Sequence, residues 1–253
     1  RMNDLVSLIL NGILVMLGTL ISSFSGGGSS LVVFPALLTF AVGSYASLFV
    51  IAKLSATVMT FVAGKMHMKR SDLDRRVLYV LIIFGFFGMA LGTYFLQYHF
   101  DEILFKRLLT FFILATVAYL GFSKEVGLET GHSLPLNGKR LFVTGVFSFL
   151  INIMNGIFGG TGLFTTVFLV IFLRMRFIKA IGYTMVNYAV IGIFQTGYLM
   201  LTEKFDVWLA VVAVFASIIG GYAGTHLQYL KGNKWVKTSA LVVMIFLGIK
   251  MVM

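Results

Sequence analysis

Long apolar segments separated by short polar connections run along almost the whole chain. Eight of these segments come close to the roughly 17 to 25 residues that an α-helix needs to cross a bilayer. They span residues 5–24, 45–64, 77–96, 108–122, 141–158, 180–201, 207–227 and 239–252. Two others, residues 31–40 and 163–173, are shorter and follow glycine clusters, which is typical of half-helices in a membrane. The pattern predicts an all-α polytopic membrane protein with 8 to 10 membrane segments, depending on whether the glycine-broken hairpins cross completely.

The composition agrees with this class and excludes several kinds of chemistry. Hydrophobic residues make up 59% of the chain and charged residues only 11%, against roughly one-quarter charged in ordinary soluble domains. The chain has no cysteine, which excludes disulfides, thiolate metal sites and thiol catalysis. We therefore expect no catalytic residue, no metal and no cofactor, and no soluble domain of appreciable size.

The net charge of +11 is distributed unevenly between the two sides that alternating segments define. Connections on one side carry fourteen Lys and Arg residues, and connections on the other side carry four. The positive-inside rule assigns the richer side to the cytoplasm. We expect a multi-pass protein of the bacterial inner (plasma) membrane with both termini extracytoplasmic. The basic excess then reflects topology and contact with the lipid bilayer, and no nucleic-acid partner is expected.

The chain contains an internal repeat at an offset of about 133 residues. The stretch "SSFSGGGSSLVVFPALLTF" (residues 22–40) is echoed by "NGIFGGTGLFTTVFLVIFL" (residues 155–173). In the charge assignment, the connection at residues 65–76 lies inside and its counterpart at residues 203–206 lies outside. The sequence predicts a first membrane repeat at residues 1–122, a cytoplasmic linker at 123–140 and a second, inverted membrane repeat at 141–253. Inverted repeats with glycine-broken segments are typical of secondary transporters. Close helix packing through small residues is the alternative explanation for the glycine-spaced helices that begin at Gly85 and Gly220.

The two glycine clusters predict a binding site for a small anion. A helix break in lipid needs protein or water around its backbone, and it leaves several N–H groups free at the start of the next helix. Such an end attracts oxyanions, and glycine lets the ligand approach the backbone closely. Packing glycines without any ligand are the alternative. The candidate residues from the clusters are Gly26, Gly27, Gly28, Ser29, Ser30, Gly159, Gly160, Thr161 and Gly162.

Lys53 is the strongest single candidate, because it lies far from both ends of its apolar segment. An ammonium at such a depth costs roughly 3 kcal/mol and marks a functional site by default. All nine carboxylates lie in connections or near the start of the chain, so an anionic substrate would supply the missing partner. The alternative is a lysine that reaches water along a kinked helix.

Neutral polar residues in the second half complete the predicted site. Since the repeat position that matches Lys53 falls near Met185, only one half contributes a cation. Interhelical hydrogen bonding, worth on the order of 1 kcal/mol, is an equally good explanation for Gln195 and Asn152. The candidate substrate-binding residues are Asn155, Tyr183, Thr184, Asn187 and Gln195.

Several of these motifs together resemble the TauE/SafE-type sulfite exporter family, also called the 4-toluene sulfonate uptake permease family. They are the glycine triplet followed by "LVVFPALL", the "AKLSA" around Lys53, the "NGIFGGTG" of the second half, "KAIGY" and "DVW". The resemblance covers nearly the whole chain. It implies an all-helical inner-membrane permease that commonly exports sulfite, sulfonates or related small anions. The family's motif residues fall on Gly26 to Gly28, Pro35, Ala52 to Leu54, Gly156, Gly159 and Gly162.

The chain departs from the family pattern at positions that affect charge. Relatives often carry Asp before each glycine cluster, where this chain has Ser22 and Asn155, and Asn before the lysine, where it has Ala52. The site should therefore be more positive, and a carboxylate that couples protons is less expected here.

The leading hypothesis is a non-enzymatic transporter that exports a small sulfur oxyanion such as sulfite or an organosulfonate. A membrane potential negative inside favours anion exit by roughly 2.3 kcal/mol per charge per 100 mV. The alternative within transport is a channel or an importer for another small organic anion, such as a carboxylate. An intramembrane enzyme or assembly factor is disfavoured, because the apolar segments hold no paired catalytic groups. The sequence leaves the oligomeric state open, with a homodimer as one arrangement.

Overall fold

A computed structural model describes residues 2–27, 29–98 and 135–252 of the 253-residue chain. All regular secondary structure in these residues is α-helical, as the hydrophobic pattern predicts. The helices are α1 (Met2–Ser25), α2 (Ser29–Phe40), α3 (Tyr45–Arg70), α4 (Arg75–Tyr98), α5 (Gly138–Phe158), α6 (Gly162–Phe172), α7 (Phe177–Thr202) and α8 (Val207–Val252). The predicted segment at residues 108–122 and most of the predicted linker at 123–140 lie outside the described residues.

Six of these helices are long and apolar enough to cross a membrane. Many of their large apolar side chains face outward, including Phe61, Tyr79 and Phe87, which are each more than half exposed. Exposed apolar surface on this scale requires a lipid environment. Helices α2 and α6 contain only 12 and 11 residues, so the two predicted half-helices are present with nearly the expected bounds.

Glycines terminate helices at three places. Gly26 and Gly27 between α1 and α2 have φ values of 108° and 114°, and Gly159 beyond α5 has a φ of 74°. Within α8, Gly232 adopts a φ of 79° and divides the helix into a first part, Val207–Lys231, and a second part at residues 233–252. These left-handed conformations are strained for residues with a side chain, which explains why glycine occupies each of them.

Helices of the first predicted half pack directly against helices of the second. Helix α1 packs along α8, and α4 packs along α5, while α3 lies against both α7 and α8. The glycines of α4 and α8 permit this, because a β-carbon on Gly92 would overlap the carbonyl oxygen of Ile153 and one on Gly224 would overlap that of Leu20. The spacing of small residues thus fixes how closely these helices approach.

Two aspartates cap α4 and α8, which begin 132 residues apart, one in each predicted half. The carboxylate of Asp74 accepts a 2.8 Å hydrogen bond from the backbone N–H of Arg76 at the start of α4. Asp206 does the same for the N–H groups of Trp208 and Leu209 at the start of α8. The Arg76 backbone donor holds the pKa of Asp74 below its ordinary value, with help from the Arg76 guanidinium.

Candidate functional site

The two glycine breaks meet inside the bundle. A β-carbon on Gly27 would lie 3.0 Å from the Cα atom of Gly162, so the breaks touch backbone to backbone. Helix α2 begins beyond one break and α6 beyond the other, and Ser29, Ser30 and Gly162 at their starts line one shared cavity. Two positively polarised helix ends therefore lie at the same place.

Lys53 reaches this junction from the first half of α3. Its ammonium donates a 2.8 Å hydrogen bond to the carbonyl oxygen of Asn155 and another of 2.8 Å to Oε1 of Gln195. A β-carbon on Gly159 would lie 2.9 Å from both Cε and Nζ of Lys53, and 2.9 Å from the β-carbon of Ser30. Only glycine at position 159 therefore leaves room for the lysine.

The surroundings of Lys53 orient its charge without neutralising it. The side chain is 4% exposed, and its Nζ lies 5.4 Å from the ring centroid of Phe49. The carbonyl of Asn155 belongs to the last turn of α5, whose negative end attracts a cation. Among the described residues, no carboxylate forms an ion pair with Lys53. The result is a buried cation held by neutral acceptors, which is the electrostatic requirement for attracting an anion.

The start of α6 is open for a ligand. Thr161 is its N-cap residue and makes no side-chain capping bond, because its hydroxyl instead contacts the hydroxyl of Tyr188 at 2.9 Å. The Tyr188 hydroxyl also contacts the hydroxyl of Thr165 at 3.0 Å. No side-chain cap therefore competes with a ligand for the first backbone N–H groups of α6.

The cavity between these elements has a volume of about 40 Å³. A cavity needs roughly 10 to 15 Å³ to hold a single water, so this space suits a group of a few heavy atoms. Its lining comprises Gly27, Ser29, Ser30, Lys53, Ala56, Thr57, Met59, Thr60, Asn155, Gly160, Gly162, Thr184, Met185, Tyr188, Gly192 and Gln195. Most of the predicted site residues are thus brought together around one small space.

Five predicted residues within the described part of the chain lie outside this lining. Gly26 instead accepts a hydrogen bond at its carbonyl from the hydroxyl of Thr166, and Thr161 contacts Tyr188. The hydroxyl of Tyr183 points to the α3–α4 connection, where it accepts a 2.6 Å hydrogen bond from the backbone N–H of Asp74. Asn187 is fully buried, and its Oδ1 would lie 3.4 Å from a β-carbon on Gly85 of α4. Gly159 lies next to Lys53 without lining the cavity, and Gly28 lies outside the described residues.

Sequence reasoning missed three polar residues of the lining, Thr57, Thr60 and Tyr188. Their spacing from predicted site residues along the helices could have identified them. Thr57 and Thr60 follow Lys53 by four and seven residues, and Tyr188 follows Thr184 by four, so each lies on the same helix face as a predicted site residue. In the described residues, no group of three or more His, Asp or Glu side chains could hold a metal ion.

Comparisons with known proteins bear on the whole chain. A family model described as "Sulfite exporter TauE/SafE" matches residues 11–251. A protein of Haemophilus influenzae named "Probable membrane transporter protein" is 26% identical over 236 residues, which cover 89% of this chain and 87% of that protein. No solved structure matches the chain.

Proposed function

Since the chain belongs to the sulfite exporter TauE/SafE family of membrane transporters, we propose that it exports a small sulfur oxyanion, such as sulfite or an organosulfonate, across the bacterial inner membrane. The buried ammonium of Lys53 carries this proposal. It lies against the glycine break at Gly159 and donates to two neutral acceptors, the carbonyl of Asn155 and the amide of Gln195.

A bound oxyanion would exchange these neutral partners for stronger ones. An anion in the cavity brings its oxygens to the Lys53 ammonium, to the hydroxyls of Ser29 and Ser30, and to the free N–H groups at the helix starts. The present hydrogen bonds of Lys53 already have a charged donor, and an anionic acceptor adds a direct Coulombic attraction between opposite charges. The site therefore selects for negative charge and for several acceptor oxygens on one small group.

An inverted-repeat arrangement would let such a site serve both sides of the membrane. A β-carbon on Gly88 would meet the carbonyl oxygen of Phe149, and one on Gly220 would meet that of Met16. The two glycines are 132 residues apart and the two carbonyls 133. Matching contacts in reciprocal helix pairs support a two-fold relation between the halves, and movement of one half against the other would expose the site alternately to each side.

The direction of transport follows from charge and topology. The positive-inside bias places the α3–α4 connection, with its basic residues, in the cytoplasm and both termini outside. A potential negative inside then drives an anion outward without a coupled ion. The substrate and the lipid bilayer are the partners that this mechanism requires, and it operates in a monomer or a homodimer.

A panel of ligands on the purified protein tests the proposal. Sulfite, sulfate, thiosulfate, taurine, sulfoacetate and simple carboxylates are compared for their effect on the melting temperature, and the best ligand is then tested for flux into liposomes. We expect a sulfur oxyanion to give the largest stabilisation and to show trans-stimulation, which a carrier shows and a channel does not. Stabilisation by carboxylates alone would overturn the substrate assignment.

A further inference from the structure

The hydroxyl of Tyr188 lies at the start of α6, although Tyr188 itself belongs to α7. Its oxygen is 2.9 Å from the hydroxyl of Thr161, the N-cap residue of α6, and 3.0 Å from the hydroxyl of Thr165, one turn further along. We name these three side chains the hydroxyl triad. Tyr188 lines the cavity beside Lys53, whereas Thr161 and Thr165 do not. An anion bound at the start of α6 would therefore lie next to the Tyr188 hydroxyl.

The Tyr188 side chain is held at both of its ends. It is 8% exposed and packs in a small buried cluster with Met89 of α4 and Ile191 of α7. At the other end its hydroxyl contacts Thr161 and Thr165, which are buried themselves. The hydroxyl thus has a fixed position before any ligand arrives. A donor that is already in place loses little conformational freedom when a ligand binds to it.

The hydroxyl triad has one proton more than its internal contacts use. Three hydroxyls carry three protons, and the two contacts between them use two. Within the described part of the chain, neither Thr161 nor Thr165 donates its hydroxyl proton to a backbone carbonyl. Because both threonines are buried outside the cavity lining, every donor is satisfied when both donate to the Tyr188 oxygen. Tyr188 then keeps its own proton for the cavity.

Other hydroxyls of the lining have their protons occupied. Thr60 and Thr184 each donate to a backbone carbonyl of their own helix, at 2.9 and 3.1 Å. Thr196 donates to the carbonyl of Lys53 at 3.4 Å, so the 2.8 Å contact between Thr57 and Thr196 uses the proton of Thr57. Among the described hydroxyls that α3 and α7 contribute to the lining, that of the hydroxyl triad is the one with a proton left for a ligand.

We propose that Tyr188 binds the transported anion by donating its hydroxyl proton to an anion oxygen at the start of α6, and that Thr161 and Thr165 are positioning residues for this hydroxyl. This inference rests on the proposed function and adds a binding residue to the same site. Lys53 supplies the charge that attracts the anion. Tyr188 supplies a hydrogen bond of fixed direction, which helps to set the orientation of the anion.

Removal of one oxygen atom from each of two tyrosines of α7 provides the test. Sulfite binding to the purified full-length protein is measured by titration calorimetry. We expect Tyr188→Phe to weaken binding at least about tenfold, because a hydrogen bond to a charged partner is lost. The control is Tyr183→Phe, since the Tyr183 hydroxyl accepts from the backbone N–H of Asp74, away from the cavity. This control should lose stability and keep its affinity for sulfite. Unchanged affinity in Tyr188→Phe would overturn the proposal.

A double-mutant cycle tests the positioning role of Thr165. Thr165→Val removes one hydroxyl from the triad and should weaken sulfite binding by a factor of about three, whereas Thr165→Ser keeps a hydroxyl and should bind sulfite as the wild type does. In a protein that already carries Tyr188→Phe, Thr165→Val should change the affinity no further, because the hydroxyl that it positions is absent. Equal losses in both backgrounds would contradict the positioning role. If Tyr188→Phe does not fold, an unchanged affinity in Thr165→Val alone would overturn the proposal.

The proposed function fails in a different way. If the wild type binds no sulfur oxyanion, or if Lys53→Met binds one equally well, the proposed function and this inference both fail. If Lys53→Met loses binding and Tyr188→Phe keeps it, the proposed function stands and only this inference fails.

Discussion

Helices α3 and α7 lie side by side at the centre of the bundle and have the same length of 26 residues, yet only α3 carries a charge into the site. At an offset of 132 residues, Lys53 of α3 corresponds to Met185 of α7, and both line the same cavity. In the other direction, Gln195 of α7 corresponds to Ala63 of α3. The two helices have similar backbones but different polar side chains. Lys53 supplies the charge that selects an anion, and Gln195 orients the Lys53 ammonium.

Replacing Lys53 with the residue of the other helix should have the largest effect. Lys53→Met removes the cation and should abolish transport and weaken anion binding by roughly 100-fold, since hydrogen bonds to a charged group are worth about 1.5–3 kcal/mol. The ligand-free variant should be as stable as the wild type or more so, because a buried charge without an opposite charge is removed. The melting temperature without sulfite measures the stability of the variant, and the increase on adding sulfite measures anion binding.

Lys65→Met is the matched control, since Lys65 is an exposed lysine on the same helix. It should keep the full response to sulfite. A Lys53→Met protein that still gains stability from sulfite would show that the cation has no role in the site.

A carboxylate at Gln195 should imitate the substrate. In Gln195→Glu, the new carboxylate lies where Oε1 now accepts from Lys53 at 2.8 Å, so it pairs with the ammonium and competes with the anion. We expect the affinity for the anion at pH 7 to fall by a factor of a few tens. Gln195→Ala, which removes the acceptor without adding charge, should weaken it by only about tenfold. Equal losses in both variants, measured by calorimetry, would argue against competition for Lys53.

Substitution of Gly159 tests whether its conformation or its contact with Lys53 matters. A methyl group at Gly159 would lie 2.9 Å from Lys53 Nζ, whereas one at Gly232 would have no atom within 4 Å, and both positions have positive φ values. Gly232→Ala should therefore lose stability on the order of 1 kcal/mol from its positive φ alone, and Gly159→Ala should lose more, because its methyl group would also lie 2.9 Å from the β-carbon of Ser30. Only Gly159→Ala should also lose anion binding, which the same titrations reveal.

The smallest expected effect concerns Asp74, far from the cavity. Asp74→Ala should cost about 1 kcal/mol by removing the cap of α4, while Asp74→Asn keeps a capping oxygen. Since the folded pKa of Asp74 is lowered, its charge stabilises the fold above the unfolded pKa of about 3.9, and this stability disappears as the pH falls through the folded value. The stability difference between wild type and Asp74→Asn, followed by chemical unfolding from pH 7 to pH 3, should shrink toward zero. A difference that stays constant with pH would contradict this role of the charge.

The sequence predicted the helices and both glycine breaks because apolar periodicity and glycine act locally. It singled out Lys53 because the cost of a buried cation can be read from one segment. It did not predict that Gln195 holds Lys53, since that contact joins residues 142 positions apart and depends on how α3 meets α7. The sequence also did not predict where the Tyr183 side chain points, because each step of one residue along a helix turns the side-chain direction by about 100°.

Efflux of labelled sulfite from proteoliposomes tests the central claim most directly. Wild type, Lys53→Met and Lys65→Met are reconstituted at equal density, loaded with sulfite, and given a membrane potential negative inside. The account predicts efflux that rises with the potential for wild type and Lys65→Met, and only background leakage for Lys53→Met. Sulfite efflux by Lys53→Met at the wild-type rate would contradict it.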